Sequence, residues 1–287
     1  MAFQVFADGS SNLPRSLRSG IQMLPCEYHV DGRTEIYDGN LEAFDVHSFY
    51  EELRNGRVIQ TSLLNTHLFL TKFRPVLEQG QDVIYVSMGG GISGTYNAAV
   101  AAARELMEEF QDRFVHIVDS CGCGFGTGLL AVRGARLAGQ GYDARAAAHI
   151  LEEEVPHACQ YFTVDDLNFL KRTGRVSGVT AMMGTALNIK PLLYGSKEGK
   201  IVNCGNARGR KKSIDLILKK FNEKRTDRQD LPICISHGDC EEDAKTLAAK
   251  VREIVPNVPV LIAPHEPFSG SHVGPGMLAL FFRGEER

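Results

Sequence analysis

Short apolar runs alternate with longer helical stretches through the first half of the chain. The runs FQVFA, VIYVS and FVHIVDS are each bounded by glycine, serine or aspartate, as buried strands commonly are. Between the second and third runs, apolar residues recur at helical spacing from Tyr96 to Phe110. A strand, a helix and a strand in this order form a crossover between parallel strands. We therefore predict an α/β fold that begins with a parallel sheet covered by helices in three α/β/α layers.

The pattern changes near Pro156. Beyond it lie a strand-like YFTV, a helix-like DDLNFLKR, a hairpin signal in SKEGKIV, a strand ICISHG and a final HVGPGMLALFF that predicts a turn and a terminal strand. Residues 213–220 and 241–254 have the polar and apolar alternation of surface helices. We predict a domain of residues 1–157 and a second, mixed-sheet α/β domain of residues 158–287, because 287 residues exceed the roughly 100–200 of one ordinary domain.

Composition and charge narrow the class of protein. Hydrophobic residues make up 43% and charged residues 23% of the chain, as in soluble globular proteins. A net charge of -3 without a wide basic block argues against a nucleic-acid partner, which requires many phosphate contacts. No run approaches the ~20 apolar residues of a membrane span. We expect any lipid to bind in a pocket. Transient contact of the protein with a membrane surface remains an alternative.

The start of the chain and its cysteines favour a cytoplasmic protein. The opening MAFQVFADGSS lacks the basic, apolar and small-residue regions of a secretory signal. Seven cysteines without regular spacing are typical of reduced thiols rather than a disulfide framework. Cys121 and Cys123 have no second pair at the spacing of a four-ligand zinc site, so we expect neither a metal nor a cofactor.

The segment VIYVSMGGGISGTYNAAV combines a strand, a glycine-rich turn and a helix. Ligands of open parallel sheets bind beyond the carboxyl ends of the strands, where the amides of the next helix point outward. Ser93 and Thr95 flank the predicted helix start, where hydroxyls cap amides or contact an anion. The turn therefore predicts a ligand contact, with capping alone as the competing interpretation.

Two enzyme classes compete for the same turn. Gly89, Gly91 and Gly94 match the G-x-G-x-x-G of dinucleotide-binding proteins, and Asp119 ends the next predicted strand. A Walker phosphate loop is excluded, since no lysine follows the last glycine.

The second enzyme class is a serine hydrolase of acyl esters. Residues 91–95 resemble a nucleophile elbow, and Asp119 and His272 follow in the chain order of α/β hydrolases. Ser93 and His272 would be its catalytic residues, although Thr95 replaces the second glycine of the elbow.

Longer segments of the chain resemble the DegV family, from the D-G-S-S at residues 8–11 to the last predicted strand. The segments that carry this resemblance are TSLLNTHLF, SGTYNAA, VDSCGCGFGTGLLA, FLKRTGRVSGVTAMMGTALNIKPLLYGSKEGKIV and HVGPG. They are similar to the family's Thr-Ser loop, S-G-T-Y turn, V-D-S strand end, L-K-x-G-G-R-I helix end, N-I-K-P strand and H-V-G-P-G turn.

The resemblance implies a two-domain fold with a ligand tunnel between the domains. It further implies that the chain binds a single long-chain fatty acid and is not itself an enzyme. The chain would present the carboxylate to the catalytic subunit of a fatty acid kinase, and the acyl phosphate would enter phospholipid synthesis. The implied carboxylate site consists of Thr61, Ser62, Asn65, Ser93, Gly94, Thr95 and His272.

Elementary energetics agree with these residue types. A buried tail of ~16 carbons gains about 0.8 kcal/mol per methylene, so it dominates the affinity. The carboxylate then needs only positioning, which hydroxyl, amide and imidazole donors supply while leaving an oxygen free to react.

The chain departs from the family pattern at several positions. Gly9 stands where the family has a hydroxyl residue, Thr173 replaces a glycine, and Leu63 and Leu64 replace glutamine and proline. A separate basic group suggests a docking surface for the kinase or another acidic partner, with a solvated face as the alternative. Its members are Arg172, Arg175, Arg208, Arg210, Lys211 and Lys212.

Overall fold

A computed structural model describes residues 2–176 and 188–287. The strands are β1 (Phe3–Asp8), β2 (Ile21–Leu24), β3 (Cys26–Val30), β4 (Arg33–Tyr37), β5 (Ile59–Ser62), β6 (Asp82–Ser87), β7 (Val115–Asp119), β8 (Ala158–Thr163), β9 (Ile189–Gly195), β10 (Ile201–Arg208), β11 (Ile233–His237), β12 (Val260–Pro264) and β13 (Leu278–Arg283). The helices are α1 (Val46–Arg54), α2 (Thr66–Glu78), α3 (Thr95–Glu109), α4 (Phe125–Gly139), α5 (Ala144–Glu154), α6 (Asn168–Arg172), α7 (Arg210–Lys224), α8 (Glu241–Ile254) and α9 (Pro267–Val273). In these two ranges, none of the helices has the length and hydropathy of a bilayer-spanning segment.

The first sheet has the strand order β2-β1-β6-β7, and every pair in it is parallel. Successive side chains point to opposite faces of a strand. Val5 and Ile84 therefore pack in one core with α4 and α5, whereas Phe6 and Tyr85 pack in another with α2 and α3. The predicted three-layer α/β/α arrangement is confirmed.

The second sheet is mixed, with the order β10-β9-β8-β13-β11-β12. Its predicted hairpin is the antiparallel pair β9 and β10, and only β11 and β12 of the described strands run parallel in it. Leu280 on β13 packs with α7 and α8, whereas Ala279 and Phe281 face the first half of the chain and share its core. The second sheet thus has one face in its own core and one against the first half.

The expected domains, residues 1–157 and 158–287, correspond roughly to these two sheets, but their limits stay a prediction. Helix α9 lies in the second half of the chain and yet packs on α1, β3 and β5 of the first half. The segment of the DegV resemblance at residues 177–187 lies outside the described residues.

A third, antiparallel sheet of order β4-β3-β5 was not predicted. Its strands are short, with β4 mostly exposed and β3 and β5 only partly buried, so they lack the apolar runs that mark a buried strand. The prediction that Thr61 and Ser62 lie in a loop is wrong, because they are the last two residues of β5. The expected turn at His272 is also wrong, because His272 lies in the last turn of α9, which Glu266 caps and Pro267 begins.

Candidate functional site

A cavity of about 220 Å³ lies between the two larger sheets. Its walls come from the end of β5, the turns after β6 and β7, β8, the β9–β10 hairpin, α9 and β13. Most of the lining is apolar, including Met88, Ile92, Phe162, Phe268, Met277 and Phe281. Such a lining favours an alkyl chain over a polar ligand.

Polar groups from both halves of the chain meet at one end of this cavity. Thr61 on β5 and His272 on α9 both line it, and the Thr61 Oγ1 and His272 Nε2 atoms are 2.9 Å apart. Ser93 and Gly94 line the same end just before α3. A Cβ at Gly94 would lie 3.0 Å from the Leu63 side chain, so glycine leaves room for Leu63 at this end.

His272 is an uncharged group in this site at neutral pH. Burial lowers its pKa to about 4, and the nearby charges of Arg175 and Arg172 act in the same direction. Its Nδ1 atom is buried and has no hydrogen-bond partner among the described residues. Since Nε2 is engaged with Thr61, Nδ1 is the ring nitrogen left without a partner in the described part of the chain, and it is a donor or an acceptor according to the tautomer.

Arg175 has a different position from the one expected. It was grouped with the exposed basic residues, but its side chain lines the cavity. Its Nε donates to the Ile92 carbonyl oxygen at 3.4 Å, and its Nη1 donates to the Thr173 carbonyl. The polar end therefore contains a positive charge beside neutral His272, contrary to the expectation that uncharged donors suffice there.

The other basic residues divide into two kinds. Arg210 is held within the fold, because its Nε donates to Asp243 and its Nη1 to the Gly276 carbonyl oxygen, both at 2.8 Å. Arg172 and Arg208 are exposed, and the Arg172 guanidinium lies 5.0 Å from the centre of the Phe169 ring. The predicted docking surface retains Arg172 and Arg208 as accessible charges.

Three residues of the expected carboxylate site do not line the cavity. Ser62 Oγ lies 2.6 Å from His29 Nε2, on the opposite face of β5 from Thr61. Asn65 caps α2 by accepting from the Leu68 amide at 2.9 Å. Thr95 is buried and accepts from the Leu64 amide at 3.2 Å. These residues support the walls, and ligand contact by any of the seven residues stays a prediction.

The hydrogen bonds of the glycine turn do not form a hydrolase relay. Ser93 Oγ donates to Thr95 Oγ1 at 3.0 Å, whereas His272 is bonded to Thr61. Asp119 accepts from the backbone amides of Gly90 and Cys121, at 3.1 and 2.9 Å. Serine, histidine and aspartate thus belong to three separate hydrogen-bonded groups.

The glycines of the turn are explained by packing rather than by a dinucleotide. A Cβ at Gly91 would lie 2.5 Å from the Glu198 carbonyl oxygen and 2.7 Å from that of Gly199. A Cβ at Gly89 would lie 3.1 Å from the backbone after Cys121. The β9–β10 hairpin therefore covers the turn at a distance that only glycine permits.

Sequence reasoning missed a polar group farther along the cavity wall. His265 and Ser269 both line the cavity, and His265 Nε2 lies 2.8 Å from Ser269 Oγ. His265 Nδ1 lies 3.0 Å from Ser236 Oγ, and burial lowers the His265 pKa to about 3. Gln160 lines the same region and accepts from the Cys123 amide at 3.2 Å. The sequence contains one sign of this polar group. Glycines at 122, 126 and 195 leave room for the Gln160 amide.

Cys121 and Cys123 also line the cavity. Burial raises the pKa of Cys121 to about 11 and that of Cys123 to about 12, so both are thiols at neutral pH. In residues 2–176 and 188–287, no three His, Cys, Asp or Glu side chains are grouped as metal ligands.

The fold and the cavity define a two-domain α/β protein with a largely apolar ligand site between its two larger sheets. A family model of uncharacterised DegV proteins matches residues 2–285. The chain belongs to the DegV family. It is 35% identical over 287 residues to a DegV domain-containing protein of Clostridium perfringens, covering 99% of this chain and 98% of that one.

Two solved structures have the same fold over nearly their whole length. One is a fatty-acid-binding DegV family protein from Thermus thermophilus, with 28% identity, a TM-score of 0.87, and coverage of 99% of this chain and 100% of that one. The other is DegV, a fatty-acid-binding protein from Bacillus subtilis, with 27% identity, a TM-score of 0.83 and the same coverage.

The lowered pKa of His272 predicts an acid-dependent loss of stability. The unfolded chain binds this proton near pH 6.5 and the folded chain only near pH 4, so the stability contribution is fully present above pH 6.5 and falls between these values. His272→Gln removes this titration, so wild type should lose up to roughly 3 kcal/mol more than the variant over that window. Urea unfolding of the purified protein at a series of pH values measures the difference, and parallel curves would contradict it.

Proposed function

We propose that this protein binds one long-chain fatty acid in the cavity, with the carboxylate at Thr61, Ser93 and His272 and the tail along the apolar walls. The observation that carries the proposal is an apolar cavity with a polar end built from both halves of the chain. The two fatty-acid-binding structures of similar sequence and fold support it.

The polar end has the chemistry of a carboxylate site. The Ser93 hydroxyl would turn from Thr95 Oγ1 to the carboxylate. The bonded pair of Thr61 and His272 would donate one proton to it, from the Thr61 hydroxyl or from His272 Nδ1 according to the tautomer. Arg175 supplies a balancing charge. The Arg175 Nε and Nη1 donors are engaged with backbone carbonyl oxygens, which limits a bidentate grip on the ligand. A carboxylate held in this way keeps an oxygen free for reaction.

We further propose that the protein is a presenting subunit rather than an enzyme. A separate ATP-dependent kinase would phosphorylate the bound carboxylate, and the acyl phosphate would feed phospholipid synthesis. The separate hydrogen bonds of Ser93, His272 and Asp119 favour presentation over the alternative of ester hydrolysis. Exposed Arg172, close to the polar end, is suited to contact an acidic partner surface.

Identification of the bound molecule tests the first proposal. Organic extraction of the purified protein, followed by mass spectrometry, should yield close to one long-chain fatty acid per chain. A protein that carries no acyl chain, and takes up none when fatty acid is added, would exclude the function.

Neighbouring hydroxyls on β5 provide a matched test of the carboxylate site. Thr61→Val keeps the side-chain shape but removes the hydroxyl at His272, so fatty acid affinity should fall roughly five- to thirtyfold, or about 1–2 kcal/mol. Ser62→Ala removes a hydroxyl that is bonded to His29 outside the cavity, and affinity should stay within about twofold. Titration with a fluorescent fatty acid gives both values, and equal losses would refute the assignment of Thr61.

Charge reversal separates partner docking from lipid binding. Arg172→Glu should lower acyl phosphate formation by a bacterial fatty acid kinase and ATP roughly tenfold, because an acidic partner would be repelled, while lipid content stays unchanged. Lys72→Glu, an equally exposed change on α2, is the control and should leave the rate near that of wild type. If the two variants behave alike, Arg172 has no part in docking.

A further inference from the structure

A second cavity lies behind the far wall of the first. It measures about 50 Å³, lies between α4 of the first half and the strands β8 and β13, and its lining includes the apolar residues Phe125, Leu129, Leu130, Ala158, Leu231 and Phe282. Of the residues that the structure describes, Phe281 alone borders both cavities. One aromatic ring therefore belongs to the partition between them.

Phe281 lies at the end of the main cavity that is remote from His272. Met277 follows α9 after a short turn, and Met277, Ala279 and Phe281 all line the cavity on one face of the chain. Four residues of strand span about 13 Å, so this floor leads away from the polar end. An alkyl chain that enters with its carboxylate at His272 has its methyl end directed toward Phe281.

The Phe281 ring shares the partition with a few neighbouring groups. The Phe281 ring makes an edge contact with Phe125, with 5.8 Å between ring centres. On the same side, a Cβ at Gly124 would lie 3.4 Å from the tip of the Phe281 ring, and one at Gly126 would lie 3.7 Å from its edge. The Gln160 amide and the His265 ring lie nearer still to these two positions, at 2.6 Å from the Cβ position of Gly126 and 3.1 Å from that of Gly124, so they complete the partition beside the Phe281 ring.

We propose that Phe281 sets the limit on acyl-chain length and that the second cavity is a subsite for the methyl end of longer chains. The inference rests on the proposed fatty acid function. With the ring in place, the tail ends at Phe281. With the ring removed or turned aside, the tail extends between α4 and the second sheet. Each methylene that gains room there adds about fourfold in affinity.

A competition experiment tests the proposal. The full-length protein is offered a mixture of saturated fatty acids of about 14 to 22 carbons, and mass spectrometry identifies those that it retains. Phe281→Ala should shift the retained mixture by roughly two to four carbons toward longer chains. Phe162→Ala is the matched control, because it enlarges the main cavity away from the partition, and it should not produce this shift. Equal shifts in both variants, or no shift in Phe281→Ala, would overturn the proposal.

A second change locates the added length. Ala158 lines only the second cavity, so Ala158→Leu fills that cavity and should reverse the shift in the Phe281→Ala background. A shift that survives this change would mean that the tail extends elsewhere, against the proposal. Phe281→Leu keeps an apolar side chain in the core and should shift the retained mixture toward longer chains by less than Phe281→Ala. This variant allows the test to be made even if Phe281→Ala does not fold.

These experiments distinguish a failure of this inference from a failure of the proposed function. Wild-type protein that holds fatty acid while all the variants retain the same mixture would overturn only the role of Phe281. Wild-type protein that holds no fatty acid would overturn the function itself.

Discussion

An apolar cavity between two packed sheets is the constraint on which the rest of this structure depends. Side chains that border such a space lose dispersion contacts, so a core collapses into it unless other contacts hold the walls apart. Here the β9–β10 hairpin rests on the backbone of the glycine turn at Gly91. The Gln160 amide is packed among Gly122, Gly126 and Gly195. These contacts brace the two halves around the cavity and leave its volume to a ligand.

Helix α9 connects this bracing to the polar end. Glu266 caps the helix by accepting from the Phe268 and Ser269 amides, and its own amide donates to Asn12 in the first half of the chain. Burial raises the pKa of Glu266 to about 7, although these donors favour its charged form. From this anchor the helix carries Ser269 and His272 along one face, three residues apart, toward the cavity. A short helix thus sets the position of the histidine against Thr61.

The parts of the fold that the sequence predicted are those with strong, continuous patterns. Apolar runs identified β1, β6 and β7, the turn at Gly199 identified the β9–β10 hairpin, and the amphipathic pattern of residues 241–254 matched α8. The sheet β4-β3-β5 was not predicted because its strands are short and at most partly buried, and α9 was not predicted because it has only seven residues. Membership of the DegV family, inferred from resemblance, is confirmed.

The site was less predictable because it depends on which way side chains point. Thr61 and Ser62 are adjacent in sequence, but strand geometry turns one toward the cavity and the other toward His29. The sequence groups Arg175 with exposed basic residues, whereas in the structure its side chain donates to the Ile92 carbonyl oxygen. Gln160 and His265 carried no recognisable pattern, since each is defined by partners from distant segments.

The position of β13 has a consequence for how the molecule assembles. This strand inserts between β8 and β11, although β8 is far from it in the chain. Pairing of such distant segments requires a large loop to close, which slows it. Until then β8 and β11 are open sheet edges, which attract other chains. The floor of the cavity and the closure of the second sheet are therefore one event, so the cavity exists only in molecules that have completed it.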